Sequence, residues 1–221
     1  MGGAVRKPYL SLRGKPVLSW TLAALARIPQ LQQIVLVTRP DDRAMALDAA
    51  ALADLPQRVK IDAADGGARR QDSVYNGLKA TRADAQLILI HDAARPFPGR
   101  RALVEVCEKA ATTGAAILAC RVRDTIKRER SAQSALIETT VPRADLWHAQ
   151  TPQVFRRQLI LDCFDRLAGE APELDVTDDA SICEYFRQEV ALVESSTSNF
   201  KVTQPEDIAI AEAFLSCGLV E

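Results

Sequence analysis

The chain has 221 residues, 48% of them hydrophobic and only 5% aromatic, with a formal net charge of −1. That length supports one large α/β domain with a core packed mainly by alanine, leucine and valine, and the near-neutral balance supplies no basic field for nucleic acid. No apolar run approaches a membrane span, and five scattered cysteines (107, 120, 163, 183, 217) with two histidines (91, 148) point to reduced thiols of a cytoplasmic protein, not to a disulfide framework or a metal centre.

Residues 1–8 are glycine-rich and basic and show no strand pattern. Tyr9 to Val17 reads as a short extended piece with a turn at Gly14. A helix follows from about Pro16, with Val17, Leu18, Thr21, Leu22, Leu25 and Ile28 on one face and Pro29 as its stop. Ile34–Thr38 is a buried strand, and the alanine-rich segment 41–52 is a helix. Val59–Asp62 is a shorter strand, Gly66-Gly67 a sharp turn, and 69–80 a helix with Val74 and Leu78 one turn apart.

Leu87-Ile88-Leu89-Ile90 is the pattern of a strand buried on both faces. It ends in His91-Asp92-Ala93-Ala94-Arg95-Pro96. Charged residues at the end of a buried parallel strand lie where an open α/β sheet binds its ligand, although a solvated Asp–Arg pair is the commoner meaning of such an end. A helix over 101–113, Gly114 as its stop and a strand over 115–121 continue the strand–helix alternation, so the sheet is expected to be mostly parallel and covered on both faces.

The alternation breaks at Arg123. Two extended segments, 124–130 and 135–141, flank a turn at 131–134 and form a β-hairpin arm, spanning about 123–142, that packs on a partner subunit or on its own domain. Helices are expected at 156–167 and 178–186, a strand at 188–194, an extended piece at 199–202 and a last helix at 204–217. The helix is opened by a capping box in which Glu206 stands three residues after Thr203. No repeat or linker divides the chain, which reads as a single domain, 1–221, plus the arm.

Lys7, Arg143 and Lys201, with Asp92, Arg95 and the Gly66-Gly67 turn, would supply the fixed cations and close backbone approach that a phosphate-rich site needs. Any one of these lysines, taken alone, is most simply a solvated side chain. A nucleophile elbow, a Walker loop and a complete dinucleotide fingerprint are all absent, which disfavours a hydride-transfer enzyme.

Several motifs occur together in one order. They are Gly66-Gly67 with Arg70, Asp72-Ser73-Val74, His91 to Pro96, Val122-Arg123-Asp124-Thr125, Trp147 to Gln153, Thr177 to Ser181, and Asn199 to Asp207. In this order the chain resembles the 2-C-methyl-D-erythritol 4-phosphate cytidylyltransferases of the non-mevalonate isoprenoid pathway, from Arg6 to the last helix. The resemblance implies a Rossmann-like nucleotidyltransferase domain, a three-layer α/β sandwich with a projecting β-hairpin, and a homodimer joined through that arm. It implies transfer of a cytidylyl group from CTP, carried with Mg²⁺, to methylerythritol phosphate, releasing pyrophosphate. It assigns Lys7 to the transition state, Arg143 and Lys201 to the attacking phosphate, and Asp92, Arg95 and Thr125 to the methylerythritol part. Gly66, Gly67, Ser73 and Ala93 would recognise cytidine.

The family also has a first hydrophobic strand and a glycine-rich CTP loop, which would lie before Met1 by this resemblance. Ala68 stands where an acidic residue often follows the paired glycines. Without that strand, the strands at 34–38 and 87–90 are expected to face an empty lane roughly 10 Å wide, and the chain as it stands to be impaired in CTP binding and catalysis. Two alternatives are a cytidylyltransferase for another polyol phosphate, such as ribitol phosphate, and a non-catalytic dimerising remnant.

Overall fold

A computed structural model describes residues 6–220. The glycine-rich start at 1–5 lies outside them. After a 3₁₀ turn at Lys7–Tyr9, β1 (Ser11–Leu12) and β2 (Lys15–Pro16) form a small hairpin. Its two turn residues, Arg13 and Gly14, both have positive φ (49° and 79°), the geometry that matches a tight hairpin to strand twist. Then follow α1 (Val17–Leu25), β3 (Gln33–Thr38), α2 (Arg43–Ala51), β4 (Lys60–Asp65), α3 (Arg70–Lys79), β5 (Leu87–Ile90), α4 (Arg100–Thr113) and β6 (Ala115–Arg121). The arm is β7 (Ile126–Glu129) and β8 (Ile137–Val141). The chain finishes with β9 (Trp147–Arg156), α5 (Arg157–Glu170), α6 (Asp179–Tyr185), β10 (Ala191–Glu194) and α7 (Glu206–Ser216).

The main sheet has the order β10-β6-β9-β5. β10 and β6 are parallel, while β9 is antiparallel to both β6 and β5. Three strands therefore run one way, with β9 reversed between two of them. The periodicity did not reveal β9: residues 147–153 entered only as a motif, yet all six residues from Gln150 to Phe155 are buried.

Alternation along the strands divides the side chains between two faces. Ala116, Leu118, Val154 and Val193 pack on Val106 and Ala110 of α4. Ile88, Ala115 and Phe155 face Ile160 and Phe164 of α5 and Ile182 of α6. This gives the three layers expected from the sequence, with helices covering both faces of the sheet.

β3 and β4 pair in parallel as a separate sheet, packed on α1 and α2 through Leu36, Leu18, Leu22, Ala46 and Ala49. Among the described residues no strand hydrogen-bonds β3 to β5. A cavity of about 990 Å³ lies between them, lined by 31–38, by 87–90 and by Val74, Gly77 and Leu78 of α3. Across this cavity β3 and β5 each present an edge with no strand partner among the described residues.

The start of the last helix differs from the expected capping box. Asp207, not Glu206, turns back: its Oδ2 accepts hydrogen bonds from the Thr203 and Gln204 amides at 2.6 and 3.0 Å, and α7 begins at Glu206. Glu206 is one residue too early in the helix to face the amides that need an acceptor.

Candidate active site

At the end of β5 the chain makes a tight turn, with the Arg95 amide donating to the Asp92 carbonyl at 3.1 Å. This folds Arg95 back on Asp92, whose Oδ2 accepts from Arg95 Nε at 3.0 Å. A second segment is tied to the same turn by the Val202 amide, which donates to the Ala94 carbonyl at 2.8 Å. Val202 is fully buried with Leu12, Val17, Ala94, Phe97 and Ala211. Burying Val202 carries Lys201 to the site, where its Nζ lies 3.2 Å from Asp92 Oδ2.

Burial works to raise the Asp92 carboxyl pKa, but Lys201 and Arg95 overcome it and hold the group below the usual carboxylate range. Arg95 is also anchored at Nη1, which donates to the Asn199 carbonyl at 2.8 Å. Its side chain is 14% exposed, against 43% for Lys201. Arg95 is therefore the fixed cation, and Lys201 the one with room to meet an incoming anion.

His91 is held at both ring nitrogens. Nε2 lies 3.0 Å from the Arg95 carbonyl, and Nδ1 lies 2.9 Å from Thr151 Oγ1. Burial pushes its pKa down to about 4, against the opposing pull of the Arg95 carbonyl and Asp92, so the ring is neutral at pH 7.

On the other side of the cavity, the Gly66 amide donates to the Thr38 carbonyl at 2.8 Å, extending the β3–β4 ladder into the turn. The Gly67 amide donates to Ser73 Oγ at 2.9 Å, and Ser73 Oγ donates to the Arg69 carbonyl at 3.1 Å. A Cβ at Gly67 would collide with Asp72 Cβ and lie 2.9 Å from the Asp72 carbonyl carbon. Glycine is required there because the turn lies directly against the first turn of α3. The positive end of that helix faces the same space and favours a negative group.

Ser73, Asp92 and Ala93 line the cavity, together with Arg6, Tyr9, Arg70 and Thr151. The Arg70 guanidinium makes a fork on Asp179, with contacts of 3.0 and 2.6 Å. Asp179 is fully buried, and burial raises its carboxyl pKa in spite of that fork.

Lys7 is exposed on the 3₁₀ turn and faces the start of α7. The Thr203 and Gln204 amides, and then the Lys7 charge, hold the Asp207 carboxyl below its usual range. Thr125 and Arg143 stand apart at the foot of the arm, where the Arg143 guanidinium donates to the Arg123 carbonyl; no contact among the described residues joins either to Asp92. The roles of His91, Thr151 and Asn199 were invisible in the sequence. Their partners lie up to 104 residues away, as with Arg95 and Asn199, and no local spacing records such a pairing.

Two cations on a carboxylate at a strand end, on a cavity that the first turn of α3 also lines in an open α/β fold, fit a Rossmann-like enzyme of the nucleotidyltransferase class. Comparison with known proteins narrows the class. The family model for 2-C-methyl-D-erythritol 4-phosphate cytidylyltransferase matches residues 1–217, and the chain belongs to this family. A cytidylyltransferase of that name from Klebsiella pneumoniae is 42% identical over 213 residues, covering 95% of this chain and 86% of the relative. One from Salmonella typhimurium is 43% identical over the same shares. Among solved structures, the 4-diphosphocytidyl-2C-methyl-D-erythritol synthase of Anaerococcus prevotii matches with a TM-score of 0.83 at 31% identity, covering 97% of this chain and 92% of that one. The cytidylyltransferase of Thermus thermophilus matches with a TM-score of 0.77 at 31% identity, covering 95% and 94%.

Proposed function

We propose that this chain transfers a cytidylyl group from CTP to 2-C-methyl-D-erythritol 4-phosphate, giving 4-diphosphocytidyl-2-C-methyl-D-erythritol and pyrophosphate. The observation that carries the reading is the Asp92–Arg95–Lys201 cluster, whose Asp92 lines one cavity with Ser73 of α3, in a chain that matches the family over 1–217. An oxygen of the acceptor phosphate attacks the α-phosphorus of CTP. A new P–O bond forms, the bond to the β-phosphate bridging oxygen breaks, and pyrophosphate leaves with that electron pair. No side chain needs to form a covalent bond. The protein has to align two anions that repel each other and stabilise charge on the transferring phosphoryl group.

In this reading Lys7 lies against the α-phosphate. Lys201 leaves Asp92 for the acceptor phosphate, where Arg143, supplied by a partner subunit, completes the clamp. Asp92, freed of one cation but still fixed by Arg95, accepts a hydroxyl of the methylerythritol part, with Thr125 beside it. The Gly66-Gly67 turn, Ser73 and Ala93 hold cytidine, largely through backbone groups. Mg²⁺ enters on the triphosphate; no three His, Cys, Asp or Glu side chains converge among the described residues, so no residue is assigned to the ion and no step is routed through it.

The dimer reading is supported by the arm, a two-stranded sheet of its own on which Leu136 and Ile137 are 55% and 60% exposed. An isolated hairpin is marginal in water, so a partner surface is the physical reason for it to be ordered. Soluble phosphorylated substrates support a cytoplasmic setting, and no helix among the described residues is long and apolar enough to cross a membrane.

The test is ³¹P NMR of the chain with CTP, Mg²⁺ and either methylerythritol phosphate or ribitol phosphate. Diphosphate product and pyrophosphate are expected with methylerythritol phosphate. Product with ribitol phosphate alone, or a folded dimer that binds no CTP by calorimetry, would overturn the reading. For the dimer, Leu136→Asp with Ile137→Asp is expected to give a monomer by light scattering with unchanged circular dichroism, and a dimer unaffected by both changes rules the arm out.

A further inference from the structure

Arg6 and Lys7 are adjacent in the chain but serve different places. Arg6 lines the cavity between β3 and β5, and Lys7 is not among its lining residues. The turn that follows fixes this divergence. The Tyr9 amide donates to the Arg6 carbonyl at 2.9 Å, and the Leu10 amide to the Lys7 carbonyl at 3.3 Å. Tyr9 packs on the cluster of Leu18, Leu22 and Leu36, and the Leu10 carbonyl takes the Val17 amide at 3.0 Å. The backbone of Arg6 is thus held at the start of a packed 3₁₀ turn with its side chain on the cavity, whereas the Lys7 charge acts on Asp207 of α7.

On the cavity, Arg6 Nη1 pairs with Asp42 Oδ2. Asp42 is 8% exposed and stands just past the end of β3. The Gly66 amide is bonded to the Thr38 carbonyl at that same end, so Arg6 and the glycine turn share the end of β3 at which an open α/β sheet takes its ligand. Two other arginines on this cavity are committed by two-point forks. Arg70 holds Asp179 at 3.0 and 2.6 Å, and Arg82 holds Asp84 at 2.9 and 2.6 Å. Arg82 also lies at the opposite end of β3, where its amide donates to Gln33 Oε1 at 2.9 Å. Arg6 differs from both. No hydrogen bond from its Nε or Nη2 to a described residue accompanies the pair, and its side chain is 43% exposed. A guanidinium carries five N–H donors in one plane, so a single ion pair leaves most of them for a second anion.

We infer that Arg6 binds the polyphosphate tail of the nucleotide, its guanidinium turning from Asp42 to the β- and γ-phosphates. That the tail belongs to CTP rests on the proposed cytidylyltransferase reading; the affinity for a polyphosphate does not. A planar fork matches the paired oxygens of a phosphate, and a carboxylate with one charge gives way to a tail with several. Consecutive residues then divide the triphosphate, Arg6 on its tail and Lys7 on the α-phosphate. Contacts to the tail are made before and during transfer alike, so their loss falls on KM for CTP and not on kcat.

The test is calorimetry with sodium tripolyphosphate and Mg²⁺, on variants whose circular dichroism matches the parent. Arg6→Gln is expected to weaken binding at least about fivefold, with Arg6→Lys between the two because the fork is lost and the charge kept. Asp42→Asn, which releases the guanidinium, should tighten binding about threefold, a gain that damage to the fold does not produce. Arg82→Gln, on the same cavity at the other end of β3, should stay within about twofold of the parent. In steady-state kinetics, Arg6→Gln should raise KM for CTP about tenfold with KM for methylerythritol phosphate and kcat within about threefold. Unchanged tripolyphosphate binding in Arg6→Gln would overturn the inference, as would an equal loss in Arg82→Gln, no gain in Asp42→Asn, or a parent chain that binds no tripolyphosphate. A parent that binds tripolyphosphate through Arg6 but forms no product from CTP overturns the functional reading alone and leaves the polyphosphate site standing.

Discussion

Asp92 Oδ2 takes both Arg95 and Lys201 in the described structure, so the two cations are already gathered before any phosphate arrives. An acceptor phosphate then needs only to draw Lys201 away from a carboxylate, not to order a free side chain from solvent. Lys7 differs: it is exposed, and its charge helps to hold the Asp207 carboxyl below its usual range. A cation that reaches the α-phosphate mainly as charge develops there should matter more to the rate than to binding. Lys7→Ala is therefore expected to lower kcat by about 10²–10³-fold, with CTP affinity by calorimetry reduced less than tenfold; unchanged turnover would remove Lys7 from the mechanism. His91 supplies a second residue-level prediction. Its folded pKa is about 4, against a model-peptide value of 6.5, so between these pH values the unfolded chain binds a proton that the native chain does not. The His91 contribution is fully present above pH 6.5, is lost as pH falls towards 4, and levels off below it. With the ring partly exposed, the change is on the order of 2 kcal/mol. Urea melts across pH 4.5–7 should show this slope in the parent and a flatter one in His91→Gln; parallel slopes would show that the ring titrates normally.

Among the elements, α3 carries the nucleotide side of the site because its first turn packs against Gly67. Gly67→Ala would push Asp72 away, and with it the carboxylate that accepts from the Arg69 amide at 3.1 Å. The expected result is a loss of about 2 kcal/mol in thermal melts and at least tenfold in CTP affinity. Gly169→Ala, in α5 with open space around it, should be neutral or slightly stabilising in the same melts. The elements legible in the sequence were those built from aliphatic runs or apolar stripes, although β3 and β5, expected to be buried on both faces, bury only Leu36 and Ile88 fully, and Val37 is 38% exposed. The aliphatic runs of β3, β5 and β6 and the striped faces of α1, α4 and α5 all lie where periodicity puts them. β9 was not legible because three of its buried residues, Gln150, Thr151 and Gln153, are polar for reasons set elsewhere in the chain. Gln153 Oε1 accepts from the Asp179 and Ala180 amides at 3.0 and 2.9 Å, capping α6, and its Nε2 donates to Asp178 at 2.7 Å. Thr151 and Gln150 likewise serve the Asp92 and Asn199 loops. A strand that satisfies loops and a helix end on its neighbours looks like a loop when read alone. The same limit applies at the site: motif order named Asp92, Arg95 and Lys201, which meet, whereas the distance of Thr125 and Arg143 from them follows from the arm's projection.

For the whole molecule, the decisive feature is the lane between β3 and β5. Each of these strands has one edge in a ladder, β3 on β4 and β5 on β9, and a second edge with no strand partner among the described residues. β6 and β9, by contrast, are paired on both sides. Backbone groups that lack a ladder partner must take water, since leaving them unpaired in a dry interior costs about 1–3 kcal/mol each. A lane of about 990 Å³ has room for that water, although Leu36 and Ile88 among its lining side chains are apolar and almost fully buried. Two consequences can be measured on the same sample. Alternate amides of β3 and β5, those directed into the lane, should exchange with deuterium at least 10²-fold faster than amides of β6 and β9, because they need only local hydration, not opening of the sheet. An apolar dye such as ANS should bind the native chain at neutral pH with its circular dichroism intact, since the apolar walls of the lane are reachable without unfolding. If β3 and β5 exchange as slowly as β6 and β9 and no dye binds, the lane is closed in solution. The Asp92 turn would then be built on one continuous sheet, not on the edge of a gap.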